Sequence, residues 1–256
     1  MNRTNLAFAL VLLSSVGSAH AAMEVFNADP AFPSAPPGEE EVPSGRWIGQ
    51  IIGGFAANTG NTEATNLNAQ LLLGYEVDNW RHTINLVGHR ASDANGTTAE
   101  RYVLTGKTDY KLSERDYVFL TGQFERDRFA GVDRRTSEAV GYGRELVASD
   151  QHKVTAEIGL GARQIVYTDG RKENDAILRL AGGWLWTISE TSEFSQRLVV
   201  EAGDSNTYSE STTALKTNLI GSIYSSLSFT VKHNTTVPPG LESTDTYTAI
   251  QLEYRF

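Results

Sequence analysis

The chain has 256 residues, 40% of them hydrophobic, with a formal net charge of −9 and no cysteine. This acidic balance argues against a nucleic-acid partner, because neutralising phosphates requires a basic face. The lack of cysteine excludes disulfide bonds and thiol chemistry, so hydrogen bonding and packing have to stabilise the fold.

Residues 1–21 have the pattern of a secretory signal peptide. Arg3 precedes an apolar run over 6–16, and Ala19-His20-Ala21 has the small-x-small form of a signal-peptidase site. The run is too short to cross a membrane as a helix. We therefore predict cleavage after Ala21 and export of the chain.

Residues 22–45 contain five of the seven prolines and the acidic run Glu39-Glu40-Glu41, without any periodic apolar pattern. This composition predicts an extended periplasmic linker. The sequence leaves open whether the linker hangs in the periplasm or enters the lumen of the domain that follows, residues 46–256.

Apolar and polar residues alternate repeatedly along 46–256, as expected for β-strands with two different faces. We predict about twelve strands, at 46–57, 64–77, 80–91, 100–111, 116–126, 136–147, 153–167, 176–188, 193–202, 212–223, 227–235 and 246–256. In 64–77, for example, Leu67, Leu71 and Leu73 share one face, whereas Asn68 and Gln70 share the other. The strands at 116–126 and 136–147 fit either phase.

Short and long connections alternate after the first hairpin. Short turns are predicted at 78–79, 112–115, 148–152, 189–192 and 224–226, and long polar loops at 92–99, 127–135, 168–175, 203–211 and 236–245. A soluble barrel fills its apolar interior with about eight strands, so twelve would leave a hole. The pattern favours an all-β fold, a closed antiparallel up-and-down transmembrane β-barrel of the bacterial (Gram-negative) outer membrane, with short periplasmic turns.

Aromatic residues cluster beside the predicted short turns, where they are expected to form a periplasmic girdle. The set comprises Tyr75, Trp80, Tyr110, Tyr117, Trp186, Phe194, Tyr224, Tyr254 and Phe256.

The polar phase of the strands predicts the lumen wall. Its main candidates are Asn68, Gln70, Arg101, Lys107, Asp109, Glu157, Arg163, Arg179, Lys216, Glu253 and Arg255. Both signs of charge are present, so these side chains either select ions in a pore or pair across the lumen and plug it.

Four arginines crowd the predicted loop 127–135 and its flanks: Arg126, Arg128, Arg134 and Arg135. One hypothesis is a basic site that binds lipopolysaccharide phosphates or an anionic solute. The other, which we favour, is a local network with Asp127 and Asp133 that orders the loop.

A lipid-modifying barrel enzyme is the alternative function. It requires a nucleophile beside an oriented histidine, and His89 with Ser92 or Asp93 is the best grouping available. Neighbours along a strand face opposite sides, so the grouping is weak, and no spacing indicates a metal or cofactor site. We predict a protein that is not an enzyme.

The last strand ends on an aromatic residue after Ile250, Leu252 and Tyr254. This arrangement resembles the C-terminal signature by which the barrel-assembly machinery recognises outer-membrane proteins. The resemblance implies that Phe256 and the alternating residues before it are an assembly signal.

The stretches Gly60–Gln70, Glu100–Phe129 and Gly141–Leu146 resemble an uncharacterised bacterial family labelled salt-induced outer membrane protein. The resemblance implies an outer-membrane β-barrel without an established substrate or catalytic residues. We expect a monomer in contact with outer-membrane lipid and lipopolysaccharide, acting as a narrow pore or a structural envelope protein.

Overall fold

The computed structural model describes residues 44–58, 64–237 and 239–256, except for the side chains of residues 56–58 and 64. The predicted signal peptide and residues 22–43 of the predicted linker lie outside this range. At the end of that linker, the amide of Gly45 donates a hydrogen bond to the carbonyl of Glu76. Among the described residues, no helix is long and apolar enough to cross a membrane.

Twelve antiparallel strands form a closed barrel in which each strand pairs with its sequence neighbours and β1 pairs with β12. The strands are β1 (Trp47–Asn58), β2 (Ala64–Val77), β3 (Trp80–Asp93), β4 (Gly96–Lys111), β5 (Asp116–Asp127), β6 (Val132–Ala148), β7 (His152–Tyr167), β8 (Lys172–Ser189), β9 (Ser192–Gly203), β10 (Thr207–Ile220), β11 (Ile223–Asn234) and β12 (Thr244–Arg255). The predicted fold class and the existence of every strand are confirmed.

The connections divide the barrel into two ends. The turn end carries 78–79, 112–115, 149–151, 190–191 and 221–222 together with Arg46 and Phe256. The described connections of the loop end are 94–95, 128–131, 168–171, 204–206, 235–237 and 239–243. The prediction of long loops at 92–99, 127–135, 168–175 and 203–211 is wrong, because the strands continue through most of these residues. Their polar side chains do not prevent the backbone from pairing.

The outer wall of the barrel is apolar and exposed. Leu160, Ile250, Leu120 and Val140 are each at least 60% exposed, as expected for side chains that meet lipid instead of a protein core. The inner wall is mixed. Charged residues are buried there, beside a small apolar cluster of Ile52, Val87 and Val103.

A β-bulge in β6 changes which side chains face inward. Glu125 pairs with Arg135 and Asp127 with Val132, so β6 has one extra residue between these two pairs. A bulge shifts the alternation of faces by one position. Val132 and Arg135 are therefore both buried, whereas Arg134 between them is exposed.

Candidate functional site

The inner wall holds four groups of charged side chains, each linked by ion pairs between strands. Near the loop end, Arg101 Nε donates to Glu125 Oε1 at 2.7 Å, and Arg135 donates to the other oxygen of Glu125 at 3.0 Å. The Arg135 guanidinium lies 4.9 Å from the centre of the Tyr208 ring and donates across the barrel to Asn234 at 3.4 Å. We call this group the Arg135 cluster.

The Arg163 cluster lies on β7, β8 and β9. Arg163 donates to Asp175 at 3.0 Å and also to the carbonyl oxygen of Asn206. Glu201 lies 3.7 Å from both Arg163 and Arg179, so it links the two guanidinium groups.

The Lys107 cluster lies nearer the turn end. Lys107 Nζ lies 3.1 Å from Asp109 and 2.5 Å from Glu157, which comes from β7, three strands away along the sheet. The Tyr117 hydroxyl donates to the same Glu157 oxygen at 2.8 Å, and Arg81 Nε donates to Asp109 at 3.0 Å.

The Arg255 cluster joins the closing strand β12 to β9, three strands away along the sheet. Arg255 on β12 forms a two-pronged contact with Glu193 on β9 at 3.0 and 2.8 Å, and it donates to Glu253 at 2.7 Å. Lys216 lies 2.7 Å from Glu253, and the Arg255 guanidinium lies 3.8 Å from the centre of the Tyr224 ring. A two-pronged contact of this kind fixes the relative orientation of the two side chains as well as pairing their charges.

The structure places most of the predicted lumen residues in these clusters. Nine of the eleven main candidates belong to them, namely Arg101, Lys107, Asp109, Glu157, Arg163, Arg179, Lys216, Glu253 and Arg255. The other two lie on β2, where Asn68 contacts His89 at 2.5 Å and Gln70 donates to Asn85 at 2.7 Å.

The predicted basic loop cluster does not form as a unit. Arg126 and Arg128 lie 3.5 and 3.8 Å from Asp133 in exposed ion pairs, and Arg134 is exposed on the outer wall. Arg135 is only 7% exposed and belongs to the inner wall. Its assignment to the loop is wrong, because β6 begins at Val132 and its bulge turns Arg135 inward.

Two residues of the predicted aromatic girdle are also placed differently. Tyr117 and Tyr224 are 6% and 8% exposed and contact charged groups inside the barrel. Other aromatics do form pairs on the outer wall near the turn end, such as Trp80 with Tyr110 and Tyr254 with Phe256. The two tyrosines sit one position out of phase with that face.

Sequence reasoning missed several inner-wall residues that hold the clusters together: Tyr117, Glu125, Asp175, Glu193, Glu201, Tyr208 and Tyr224. Glu125 and Tyr117 lie on a strand that fits either phase, so the sequence contained no decisive signal for them. Glu193, Glu201 and Asp175 do follow the polar phase of their strands, and that signal could have identified them.

Glycines make room for two of the inner-wall aromatic rings. A Cβ atom added to Gly143 would lie 2.3 Å from the Tyr117 ring, and one added to Gly141 would lie 2.7 Å from the Phe119 ring and 2.2 Å from the carbonyl oxygen of Ile158. Tyr117 therefore packs directly against β6 and Phe119 against β6 and β7, and both rings flank Lys107.

A cavity of about 40 Å³ lies inside the barrel near the loop end. Its wall combines Arg135 and Lys232 with Glu125, Asp127 and Asp245, and it includes the rings of Tyr167, Tyr208 and Tyr247. A volume of this size holds a few water molecules. The charged and aromatic side chains thus leave only a narrow space at this point of the inner wall.

His89 lies inside the barrel and not at its outer rim. The side chain is 2% exposed and contacts Asn68, whereas Ser92 and Asp93 lie at the end of β3. Within residues 44–58, 64–237 and 239–256, no three His, Cys, Asp or Glu side chains are arranged to hold a metal ion.

Two solved structures share the barrel fold. A NanC porin structure superposes with a TM-score of 0.53 at 11% identity over 82% of this chain and all of that one. An outer membrane channel from Pseudomonas putida F1 superposes with a TM-score of 0.51 at 12% identity over 88% of this chain and all of that one. At these identities the likeness concerns the fold alone.

A curated relative is the uncharacterized protein YdiY of Escherichia coli strain K12. It is 26% identical over 211 residues, which cover 80% of this chain and 82% of YdiY. The family model described as protein of unknown function, DUF481, matches residues 53–256. The chain therefore belongs to the DUF481 family.

Proposed function

We propose that the protein is a bacterial outer-membrane β-barrel that forms a narrow, charge-lined pore. The observation that carries the proposal is the inner wall, on which four clusters of paired charged side chains are buried inside a closed barrel with an apolar outer wall. The two porin and channel structures with the same fold support the proposal.

The outer wall supports a place in the membrane. In hydrocarbon every backbone N–H and C=O group needs a hydrogen-bond partner within the protein. A closed barrel supplies these partners because every strand pairs with a neighbour on both sides. The exposed leucine, isoleucine and valine side chains match lipid tails, and the aromatic pairs near the turn end match a membrane interface. We propose that the turn end faces the periplasm, because its connections have at most four residues, whereas the connection from Asn234 to Thr244 at the loop end is longer.

The charged inner wall supports a path for water and ions. Replacing buried ion pairs with apolar side chains is often neutral or stabilising, by about 1–4 kcal/mol. Stability alone therefore does not account for four charged clusters in one barrel. A polar wall is what a wet lumen requires, and rings of charge are the usual means of selecting ions.

Cross-barrel contacts narrow the path. The Lys107–Glu157 pair spans β4 to β7, the Arg255–Glu193 fork spans β12 to β9, and Arg135 reaches Asn234 on β11. We infer that the path admits only small ions and that the loss of one such pair widens it.

A structural envelope protein is the second candidate. The cross-barrel ion pairs favour it, because side chains that pair across a lumen make a stiff, closed cylinder. Bilayer conductance separates the two functions.

The experiment records single molecules in planar bilayers. We expect the unchanged protein to show small discrete conductance steps. Lys107→Glu should enlarge the steps and alter ion selectivity, because a carboxylate at this position repels Glu157 and Asp109. The matched control is Arg144→Glu, since Arg144 lies at the same end on the outer wall and pairs with Asp116.

Two results would contradict the pore. One is silence of both the unchanged protein and the Lys107→Glu variant after insertion has been confirmed by heat-modifiable migration in gels. The other is an equal change of conductance in the Arg144→Glu control. Silence with confirmed insertion would leave the structural role.

Export and assembly complete the proposal. We propose that the signal peptide directs the chain across the inner membrane and that the barrel-assembly machinery recognises the last strand. Phe256 supports this role, because its backbone exchanges two hydrogen bonds with Gly49, at 2.7 and 2.9 Å, and thereby closes the barrel.

A further inference from the structure

The loop end of the outer wall carries a row of cations on neighbouring strands. Tyr102 on β4 pairs with Arg126 on β5, Arg134 on β6 pairs with Val166, and Val166 pairs with Lys172 on β8. Arg126 lies opposite the bulge that contains Arg134. We call Arg126, Arg134 and Lys172 the basic row.

The basic row is accessible and carries a net positive charge. Arg134 and Lys172 are exposed, and the Arg126 side chain is 41% exposed. Its acidic neighbour Asp133 lies 3.5 Å from Arg126 and is itself 45% exposed, so this pair is weak in water. Glu100 on β4 is a second outward carboxylate beside the row, but it lies opposite Arg90 on β3, so the row keeps a net positive charge.

The row lies on one side of the barrel only. Outward positions near the loop end of β9 to β12 include Ala202, Ser209, Val231 and Thr246, which carry no charge. The whole chain has a net charge of −9, so a positive row on its outer wall runs against the overall balance. General solubility therefore does not account for the row.

An apolar surface adjoins the row on the side of the turn end. Tyr102, Leu104 and Phe124 are between 43% and 48% exposed on β4 and β5. Arg126 thus lies beside an aromatic ring, with aliphatic surface beyond it. This order, cation, aromatic ring and aliphatic surface, matches the order of phosphate, interface and acyl chain in a membrane lipid.

We propose that the basic row binds the phosphate groups of a phosphorylated glycolipid of the outer leaflet, lipopolysaccharide, whose acyl chains lie against Tyr102, Leu104 and Phe124. Arginine forks suit phosphate oxygens because they donate two parallel hydrogen bonds. The inference rests on the proposed membrane orientation but not on conduction, so a silent barrel can still bind the lipid.

The test uses the full barrel folded in detergent and bis-phosphorylated lipid A as the probe. Native mass spectrometry counts the bound lipid, and a titration of thermal stability gives the apparent affinity. We expect Arg126→Gln/Arg134→Gln to bind about tenfold more weakly than the unchanged protein, as expected for the loss of charge-assisted contacts. Lipid A without its phosphates should bind the unchanged protein with a similar loss of affinity.

The control variant is Arg144→Gln, which removes an exposed arginine from the outer wall at the turn end. It should bind lipid A as the unchanged protein does. Arg126→Lys/Arg134→Lys should recover part of the affinity, because it keeps the charge and loses the fork. If the double glutamine variant does not fold, Arg134→Gln alone tests the same contact.

Three results would overturn the proposal. The first is equal binding by the double glutamine variant and the unchanged protein, the second is an equal loss in Arg144→Gln, and the third is undiminished binding of the dephosphorylated lipid.

Discussion

The inner and outer walls of the barrel come from the same twelve strands but obey different rules. On the outer wall a side chain needs only to be compatible with lipid, so neighbouring residues are largely independent of one another. On the inner wall a charge is buried, and it is stable only if a partner from another strand meets it. The difference teaches that substitutions on the two walls of one strand should have unequal effects, and four experiments test it.

The largest effect is expected at the Arg135 cluster. Glu125→Ala leaves Arg101 and Arg135 buried without their shared carboxylate, so the free energy of unfolding should fall by about 3–5 kcal/mol. Glu138→Ala is the matched control, since Glu138 is exposed on the outer wall of β6. Urea unfolding of the folded barrel in lipid vesicles measures both. Equal losses would mean that the two walls do not differ.

Phe256 is expected to be an exception to the difference between the two walls. It lies on the outer wall, yet we expect its loss to impair assembly of the barrel. Its ring covers Gly49, where an added Cβ atom would lie 2.5 Å from the ring. Deleting Phe256 should reduce the assembled fraction in cells far more than it alters the conductance of molecules that do insert. Phe55→Ala, on an aromatic residue that is 69% exposed on β1, is the control. Normal assembly after the deletion would contradict the proposed signal.

The same substitution, glycine to alanine, compares the stability cost of an added methyl group on the two walls. Gly141→Ala places a methyl group against the backbone of β7 and the Phe119 ring, and it should cost about 1–3 kcal/mol. Gly122→Ala on β5 meets nothing within 4 Å and should change stability by less than about 0.5 kcal/mol. The same unfolding assay applies, and a tolerated Gly141→Ala would show that β6 and β7 can separate without cost.

The smallest effect is expected from removing one hydroxyl. Tyr117→Phe loses the hydrogen bond to Glu157 inside the barrel, at a cost of about 1–2 kcal/mol. Tyr142→Phe loses an exposed hydrogen bond to Asp116 on the outer wall and should cost less. A larger loss from Tyr142→Phe would reverse the expected order of the two walls.

The sequence predicted the strands well because alternation is a local property. Leu160 and Arg163 on β7 fall on their expected faces, since each strand repeats a simple pattern of apolar and polar residues. The prediction for Arg135 was wrong for a local reason too. A single extra residue in β6 reverses which side chains face inward, and such a bulge is not visible in the composition of the sequence. The prediction that Tyr117 faces lipid was wrong because aromatic residues suit the lipid-facing wall and the inner wall equally well.

By itself, the sequence determined the all-β class, the approximate number of strands and the apolar outer face, because each depends on neighbours within one strand. Only the tertiary structure decided which charges meet, as Lys107 with Glu157 and Arg255 with Glu193 do. Such pairs depend on the register and closure of the whole barrel, which bring together strands distant in sequence.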